Sequence, residues 1–563
     1  MINKEKIIAY ALENAIEHDG KAVVNAVLNK LFQEGLKKEQ IKDFIKKIQE
    51  EVNSVNSIPL EQQKQQFKPL ESLIKKHEQR EGLPELENAE KGKVVMRIAP
   101  YPSGPLHIGN ARPAILNDEY TKMYSGKLLF VMDDTIGSEE KALIEDAYKL
   151  IPEGMDFLKV KYQKPIIYKS DRLEIYYKYG EEITKKGKAY VCFCSAEELR
   201  KNRENEKECK CRQKSINENL KDWQDMLKGK YKEGKAILRI KTSMQDKNPA
   251  FRDRVIFRIS DREHPRTKKK YNVWPLLDFS WAVDDYLLNI THILRGKELM
   301  MESEMERYIW KIFNWPEKTI IHTGLMQIEG IKISKSKGQK EVNAGRYSGW
   351  DDPRLWSLQS LQKRGILPEA IRKFIVNLGV NQNEITVPVD SLYEENRKLI
   401  EKAKRYFFVS NPEKIKIKKI PLDEEVAKIP LHPNYSELGE RTIKAKDEFY
   451  VTNEDGKTIK KEKKANFRLM HLFSFNGNLE FVGKEYKKEL NAAMMHWLPA
   501  DKENTKDLIK TEIIMPDGKT EKGLSESNIK NLKEGEIIQF ERFGFCRLDK
   551  KSKDKYLFYF THK

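Results

Sequence analysis

Long hydrophobic runs are missing from this chain. Nothing approaches the roughly 20 consecutive apolar residues that a membrane-spanning helix needs. The N-terminal MINKEKIIAYALENAIEHDG carries a charge every few residues and lacks the apolar stretch of a secretory signal. A spanning or secreted protein is therefore not expected, and the cytoplasm is the expected compartment. Cysteine is scarce, with 5 in 563 residues, and disulfides are disfavoured in that compartment. No internal repeat stands out.

Acidic residues are outnumbered: 105 Lys and Arg against 87 Asp and Glu leave a net charge of +18. The imbalance is local, because residues 1–90 hold 14 basic and 16 acidic side chains. The remaining chain is strongly basic, which suits a polyanion such as nucleic acid as well as it suits a solvated lysine-rich surface. The 39% apolar content supports a sizeable core, and the length implies three to five domains at about 100–200 residues each.

Apolar residues recur at helical spacing through Ile7, Leu12, Ile16, Val23, Val27 and Leu31, so 1–90 reads as a helical appendage that contacts tRNA or a protein partner. The Gln-rich stretch 54–69 reads as a linker or exposed helix. From Lys93 the texture becomes α/β. Val94–Ile98 and Leu128–Met132 look like buried parallel strands, joined by a Pro/Gly loop and a helix from about Ile108 to Tyr124. The last third is all-β in character. Turn signals at Asp455-Gly456 and Pro516-Asp517-Gly518 separate short strand-like runs, the pattern of one or two β-barrels.

Two loops carry chemistry. In Pro102-Ser103-Gly104-Pro105-Leu106-His107-Ile108-Gly109-Asn110, Gly109 lets a helix start lie against a flat base, and His107 can donate to phosphate oxygens at a helix N-terminus. Far downstream, Lys332-Ile333-Ser334-Lys335-Ser336 alternates ammonium and hydroxyl groups, which suits a clamp on a triphosphate. A third cluster, Cys192-Phe193-Cys194 and Cys209-Lys210-Cys211, supplies four thiols suited to a tetrahedral structural Zn²⁺. Cys546 lies in a strand pattern and reads as a small core residue.

His107-Ile108-Gly109-Asn110 and Lys332–Ser336 resemble the two signatures of class I aminoacyl-tRNA synthetases. Arg97–Pro100, Val283-Asp284-Asp285, Ile290–Glu298, Leu431-His432-Pro433 and Gln539–Phe545 are similar to the glutamyl/glutaminyl subgroup, in its archaeal glutamyl form. The resemblance implies a Rossmann-like α/β catalytic domain with an insertion, a helical connector and a β-barrel anticodon-binding region. It divides the chain into a helical domain 1–90, catalytic halves 91–170 and 271–325, and an acceptor-stem insertion 171–270. A stem-contact region 326–385 and an anticodon region 386–563 complete it.

The implied activity is ligation of glutamate to tRNA(Glu) through glutamyl-adenylate, with ATP and Mg²⁺, and tRNA(Gln) as a second candidate substrate. The resemblance assigns His107, Gly109, Asn110, Lys332 and Lys335 to catalysis. It places ATP on Pro102, Ser103, His107, Gly109, Ser334, Lys335 and Ser336. Glutamate falls to Arg97, Asp133 and Arg295, and zinc to Cys192, Cys194, Cys209 and Cys211. The basic insertion (Lys235, Arg239, Lys241, Arg252, Arg254, Arg258) suits backbone phosphates.

Three departures touch the amino-acid pocket. Val131-Met132 stand where many relatives have Arg-Phe, Leu277 where many have Tyr, and Asn110 where the signature usually ends in His. The rival readings are the same fold charging glutamine and a synthetase-like RNA-binding protein without catalysis. A zinc-dependent nucleic-acid-binding module would leave both ATP signatures unexplained.

Overall fold

Helical spacing in the first eighty residues produces a packed helical unit. The computed structural model describes residues 3–18, 20–33, 36, 41–74, 82–137, 142–331, 335–421, 425–553 and 555–563, without the side chains of 29, 33, 42, 43, 335 and 336. The chain falls into two compact units, Met1–Glu81 and Gly82–Lys563.

In the first unit, α1 (Lys4–Glu17) starts where the Asn3 side chain accepts from the Lys6 N–H. It packs with α2 (Val24–Gln33), α3 (Ile41–Asn56) and α4 (Leu60–Phe67) around Leu12, Leu31, Ile48 and Val52, all at most 2% exposed. The Gln-rich segment forms a largely exposed helix, with Glu61, Gln62, Lys64, Gln65 and Gln66 on the surface, and only Gln63 turns inward. Gln63 is fully buried on α4 and donates to the carbonyls of Gly20, Val55 and Ile58, so an amide closes two chain turns.

The second unit opens on β1 (Val95–Ile98), α5 (Ile108–Met123), β2 (Lys127–Met132), α6 (Ala147–Phe157), β3 (Gln163–Tyr168) and α7 (Leu173–Lys185). Leu83, Leu86 and Ala89 pack on this core, so 82–90 joins the α/β domain rather than the helical appendage. The three strands are parallel. An inserted antiparallel sheet follows, from β4 (Ala189–Cys192), α8 (Ala196–Glu204), α9 (Ile216–Leu227), β5 (Ile237–Ile240), β6 (Val255–Ile259) and β7 (Val273–Pro275).

The chain then returns through α10 (Leu277–Leu287), β8 (His292–Gly296), α11 (Met300–Phe313) and β9 (Thr319–Thr323). The Thr291 N–H donates to the Val95 carbonyl at 2.9 Å, which sets β8 on the free side of β1. Strand order therefore reverses between β1 and β8, and in open α/β sheets the ligand crevice lies beyond the carboxyl ends at such a switch point. Beyond lie β10 (Met326–Ile328), α12 (Lys335–Asn343), α13 (Leu358–Lys363), α14 (Pro368–Leu378), β11 (Ile385–Val387) and α15 (Val389–Ile400).

The remainder is built on two β cores fed by one strand segment. Tyr406 and Phe408 enter one core and Phe407 and Val409 the other, as the two-residue period of a strand requires. The 516–518 turn joins the antiparallel strands Ile509–Ile514 and Thr520–Ser525, with Gly518 at φ +84°. Asp455-Gly456 is no hairpin turn. Thr452 accepts from the Asp455 N–H and caps a helix, Asn453–Lys461, that contains both residues. Among the described residues no helix is long and apolar enough to cross a membrane.

Candidate active site

Three charges meet inside an apolar sheet. Arg97 on β1 and Arg295 on β8 are each 5% exposed, and Asp133, just past β2, is 1% exposed. They are not surface ion pairs. Arg97 Nη2 donates to Asp285 at 2.9 Å, and its Nε also bonds that carboxylate. Arg295 bonds both oxygens of Glu306, at 2.7 and 2.8 Å. Burial works against the Arg97 charge, but the carboxylates of Asp285, Glu306 and Asp133 outweigh it and raise its pKa.

The neighbouring acidic residues divide their work. Asp134 is fully buried and accepts from the Ser170 N–H and hydroxyl at 2.8 and 2.7 Å, a purely internal network. Asp133 instead lines a cavity, and its Oδ2 has no hydrogen-bond partner. The second pair behaves alike: Asp284 bonds Arg172 and Tyr176, leaving Asp285 for Arg97. Asp133 Oδ1 is 3.1 Å from Lys169 Nζ, and a buried carboxylate oxygen without a donor, as Oδ2 is, is costly.

The first signature loop closes the opposite side. His107 caps α5, and its N–H donates to Asn110 Oδ1 at 3.4 Å. A Cβ on Gly109 would lie 3.0 Å from the His107 imidazole, so any larger residue here would push the ring aside. The Ile108 N–H donates to the Trp356 carbonyl, which ties the loop to the segment before α13.

A cavity of about 680 Å³ lies between strand ends and loop, lined by Arg97, Ser103, Asn110, Trp281, Arg295 and Gln339 among others. That volume is within the usual range of about 300–1,000 Å³ for small-ligand sites. Gln339 belongs to α12, so the helix that begins at Lys335 reaches the cavity. Lys332 and Ser334 lie outside the described residues, as do the side chains of Lys335 and Ser336. Of the expected ATP residues, Ser103 lines this cavity while Pro102, His107 and Gly109 do not. Pro102 is buried, its carbonyl accepting from the Ile144 N–H. A second cavity of about 720 Å³ shares Ala99, Tyr101, Trp281 and Leu299 with the first and adds Asp133, Leu277 and Asp278.

In the insertion, the Sγ atoms of Cys192, Cys194, Cys209 and Cys211 all lie within 4.8 Å of one another. Cys192 and Cys209 are 3.8 Å apart, too far for a disulfide and close to the spacing of two tetrahedral ligands at about 2.3 Å from one Zn²⁺. Arg239 Nη1 stands 3.8 Å from both sulfurs. Arg239 and Arg252 therefore do not present to a phosphate backbone: they are 1% and 5% exposed and bind backbone carbonyls and their own neighbours. Arg254 is engaged by Asp278 and Glu302. Cys546 is buried in a β core.

A family model described as tRNA synthetases class I (E and Q), catalytic domain, matches residues 93–402. Two models for the anti-codon binding domain of the same class match 403–492 and 494–549. The chain belongs to the class I tRNA synthetases of the E and Q type. The glutamate--tRNA ligase of Pyrococcus furiosus is 43% identical over 99% of each chain. That of Methanocaldococcus jannaschii is 40% identical over 100% of each.

Within this synthetase family, the departures noted above have local explanations. Val131 and Met132 are fully buried, and Val131 pairs with Ile167 across β2 and β3, so apolar side chains there fill core. Leu277 opens α10 and lines the second cavity. The synthetase residues that sequence reasoning missed are Glu306, Trp281 and Lys169. The only available signal was a charged side chain within otherwise apolar helical spacing, as for Glu306 between Met305 and Ile309.

Proposed function

We propose that this synthetase activates L-glutamate with ATP and transfers it to the 3′-end of tRNA(Glu), releasing pyrophosphate and then AMP. The observation that carries this reading is whole-length likeness, at 37–43% identity, to proteins named glutamate--tRNA ligase. In the first step an α-carboxylate oxygen attacks the α-phosphorus as the bond to pyrophosphate breaks. In the second the terminal ribose hydroxyl attacks the adenylate carbonyl, loses its proton, and AMP leaves. No side-chain nucleophile is needed, so the work is positioning and charge stabilisation.

Arg97 and Arg295 serve the substrate carboxylates, supported by their place at the strand ends; a planar guanidinium suits that task. Asp133 Oδ2 takes the ammonium, supported by its lack of an internal donor. His107, Gly109, Asn110, Pro102 and Ser103 form the adenosine side. Lys332, Ser334, Lys335 and Ser336 serve the phosphates, where Mg²⁺ would neutralise charge. Cys192, Cys194, Cys209 and Cys211 would hold a structural Zn²⁺ that fixes the insertion. The helical unit Met1–Glu81 is a docking module for tRNA or a protein partner.

Aminoacylation of total tRNA with labelled glutamate and, separately, labelled glutamine tests the reading. Glutamate charging is expected. Charging with glutamine alone moves the activity to the sister substrate, and charging with neither rejects catalysis. Purified tRNA(Gln) with labelled glutamate shows whether that tRNA is a second acceptor.

A further inference from the structure

Three cations converge on one indole. The guanidinium carbons of Arg97 and Arg295 each lie 4.7 Å from a Trp281 ring centroid, and Lys169 Nζ lies 5.1 Å away. Trp281 lines both cavities, so this positive locus stands where they join. Lys169 has a fully buried side chain at the end of β3. Its ammonium is 3.1 Å from Asp133 Oδ1 and donates to Ser280 Oγ at 2.9 Å.

The buried charges here are matched one for one. Arg97 pairs with Asp285, Arg295 with Glu306, Arg172 with Asp284, and Lys169 with Asp133. Removing Lys169 alone would leave the locus one charge negative. L-Glutamate enters as a net anion and glutamine as a net neutral molecule, while their ammonium and α-carboxylate are shared. A fixed buried charge beside the pocket therefore acts differently on the two only through the side-chain end, where carboxylate replaces carboxamide.

We propose that Lys169 is a specificity-determining residue: its ammonium completes the cationic locus around Trp281 and favours glutamate over glutamine. It also occupies Asp133 Oδ1, so that only Oδ2 is left for the substrate ammonium. The assignment rests on Arg97, Asp133 and Arg295 forming the amino-acid pocket, and it supplies the discriminating charge that neither Leu277 nor Val131 can. Burial lowers the Lys169 pKa overall and Arg97 adds to the fall, while the carboxylates of Asp133 and Asp284 hold the ammonium against it.

The test is the ratio of kcat/KM for glutamate to that for glutamine, in tRNA-dependent charging by full-length Lys169→Gln, Lys169→Met and Lys169→Arg. Glutamine at 169 can keep both hydrogen bonds without the charge, so it reads the charge even if the methionine variant does not fold. The ratio is expected to fall at least about tenfold in the neutral variants and to recover in Lys169→Arg. Equal losses for both amino acids, or an unchanged ratio, would make Lys169 merely structural and overturn the proposal. Asp133→Asn is measured in parallel. If it leaves the glutamate KM unchanged, the pocket itself is misplaced; if it raises KM while the Lys169→Gln ratio stays normal, only the role of Lys169 falls.

Discussion

Arg295 on β8 meets both carboxylate oxygens of Glu306 on α11, at 2.7 and 2.8 Å, with neither side chain more than 5% exposed. Two planar groups thus fix a strand end against a helix behind the candidate pocket. Burial raises the Glu306 pKa and the Arg295 charge opposes the rise. Removing one member of a buried pair costs more than the pair itself contributes, because the remaining charge is left without compensation. Glu306→Ala should lower stability by about 3–5 kcal/mol and raise the glutamate KM, since Arg295 would then be free to turn. Denaturant unfolding alongside charging kinetics checks both; a folded variant with unaltered KM would remove Arg295 from the pocket.

Gly109→Ala places a methyl 3.0 Å from the His107 ring without touching any other element. The helix itself gains from alanine, so stability should change little while the imidazole is displaced. The imidazole must give by a few tenths of an ångström, and displacing a positioned group slows the reaction it serves. ATP–pyrophosphate exchange in the presence of tRNA should therefore drop by up to about 10-fold with the melting temperature nearly constant. A large loss of melting temperature instead would mean that the loop is structural.

Lys335→Ala should lower tRNA-dependent pyrophosphate exchange by about 100- to 1,000-fold, the usual scale for removing one charge-stabilising donor. Affinity for tRNA should stay near normal, because α12 reaches the cavity through Gln339. Near-normal exchange would reject a phosphate role for this lysine.

The parts legible in sequence are those decided by neighbours along the chain. Val94–Ile98 announces a buried strand, the 102–110 loop announces a turn into a helix, and Pro516-Asp517-Gly518 fixes its own hairpin. Asp455-Gly456 carries the same turn letters, yet Thr452 three residues earlier captures the Asp455 N–H and turns the segment into a helix. What stays hidden is partnership across the fold: Lys169 and Asp133, or Arg97 and Asp285, are separated by whole elements and meet only when the sheet closes. The apparent phosphate-binding arginines fail for the same reason, because Arg239 and Arg252 find carbonyls and thiols inside the insertion.

Replacing Cys209 and Cys211 by serine should release one equivalent of zinc per chain. The hydrogen bond between Cys192 and Cys209 lowers the pKa of the Cys209 thiol, helped by Tyr190 and Arg239, and raises that of Cys192, so one thiolate of the pair is favoured before any metal binds. Metal analysis of freshly purified wild-type chain that finds no zinc would end the assignment, whatever the variant does.

Burial lowers the pKa of all four histidines of the C-terminal region, His432, His471, His496 and His562, and the last two fall furthest. His496 is 4% exposed and His562 1% exposed, and burial lowers each from 6.5 to about 4, with Arg542 adding to the effect at the first and Arg397 and Arg364 at the second. At His562 the neutral ring is built into the structure, because Asn396 Nδ2 donates to its Nε2 at 3.1 Å and a proton there would remove the acceptor. Between these pH values the unfolded chain binds protons that the folded chain refuses, so stability must fall as pH drops. The loss begins near pH 6.5, is complete near pH 4, and amounts to roughly 3 kcal/mol for each ring. Denaturant unfolding followed through tryptophan fluorescence, Trp497 lying beside this region, should show that decline. His562→Gln retains an acceptor for Asn396 without a titrating ring, and it should flatten part of the slope; an unchanged slope would place the acid sensitivity elsewhere.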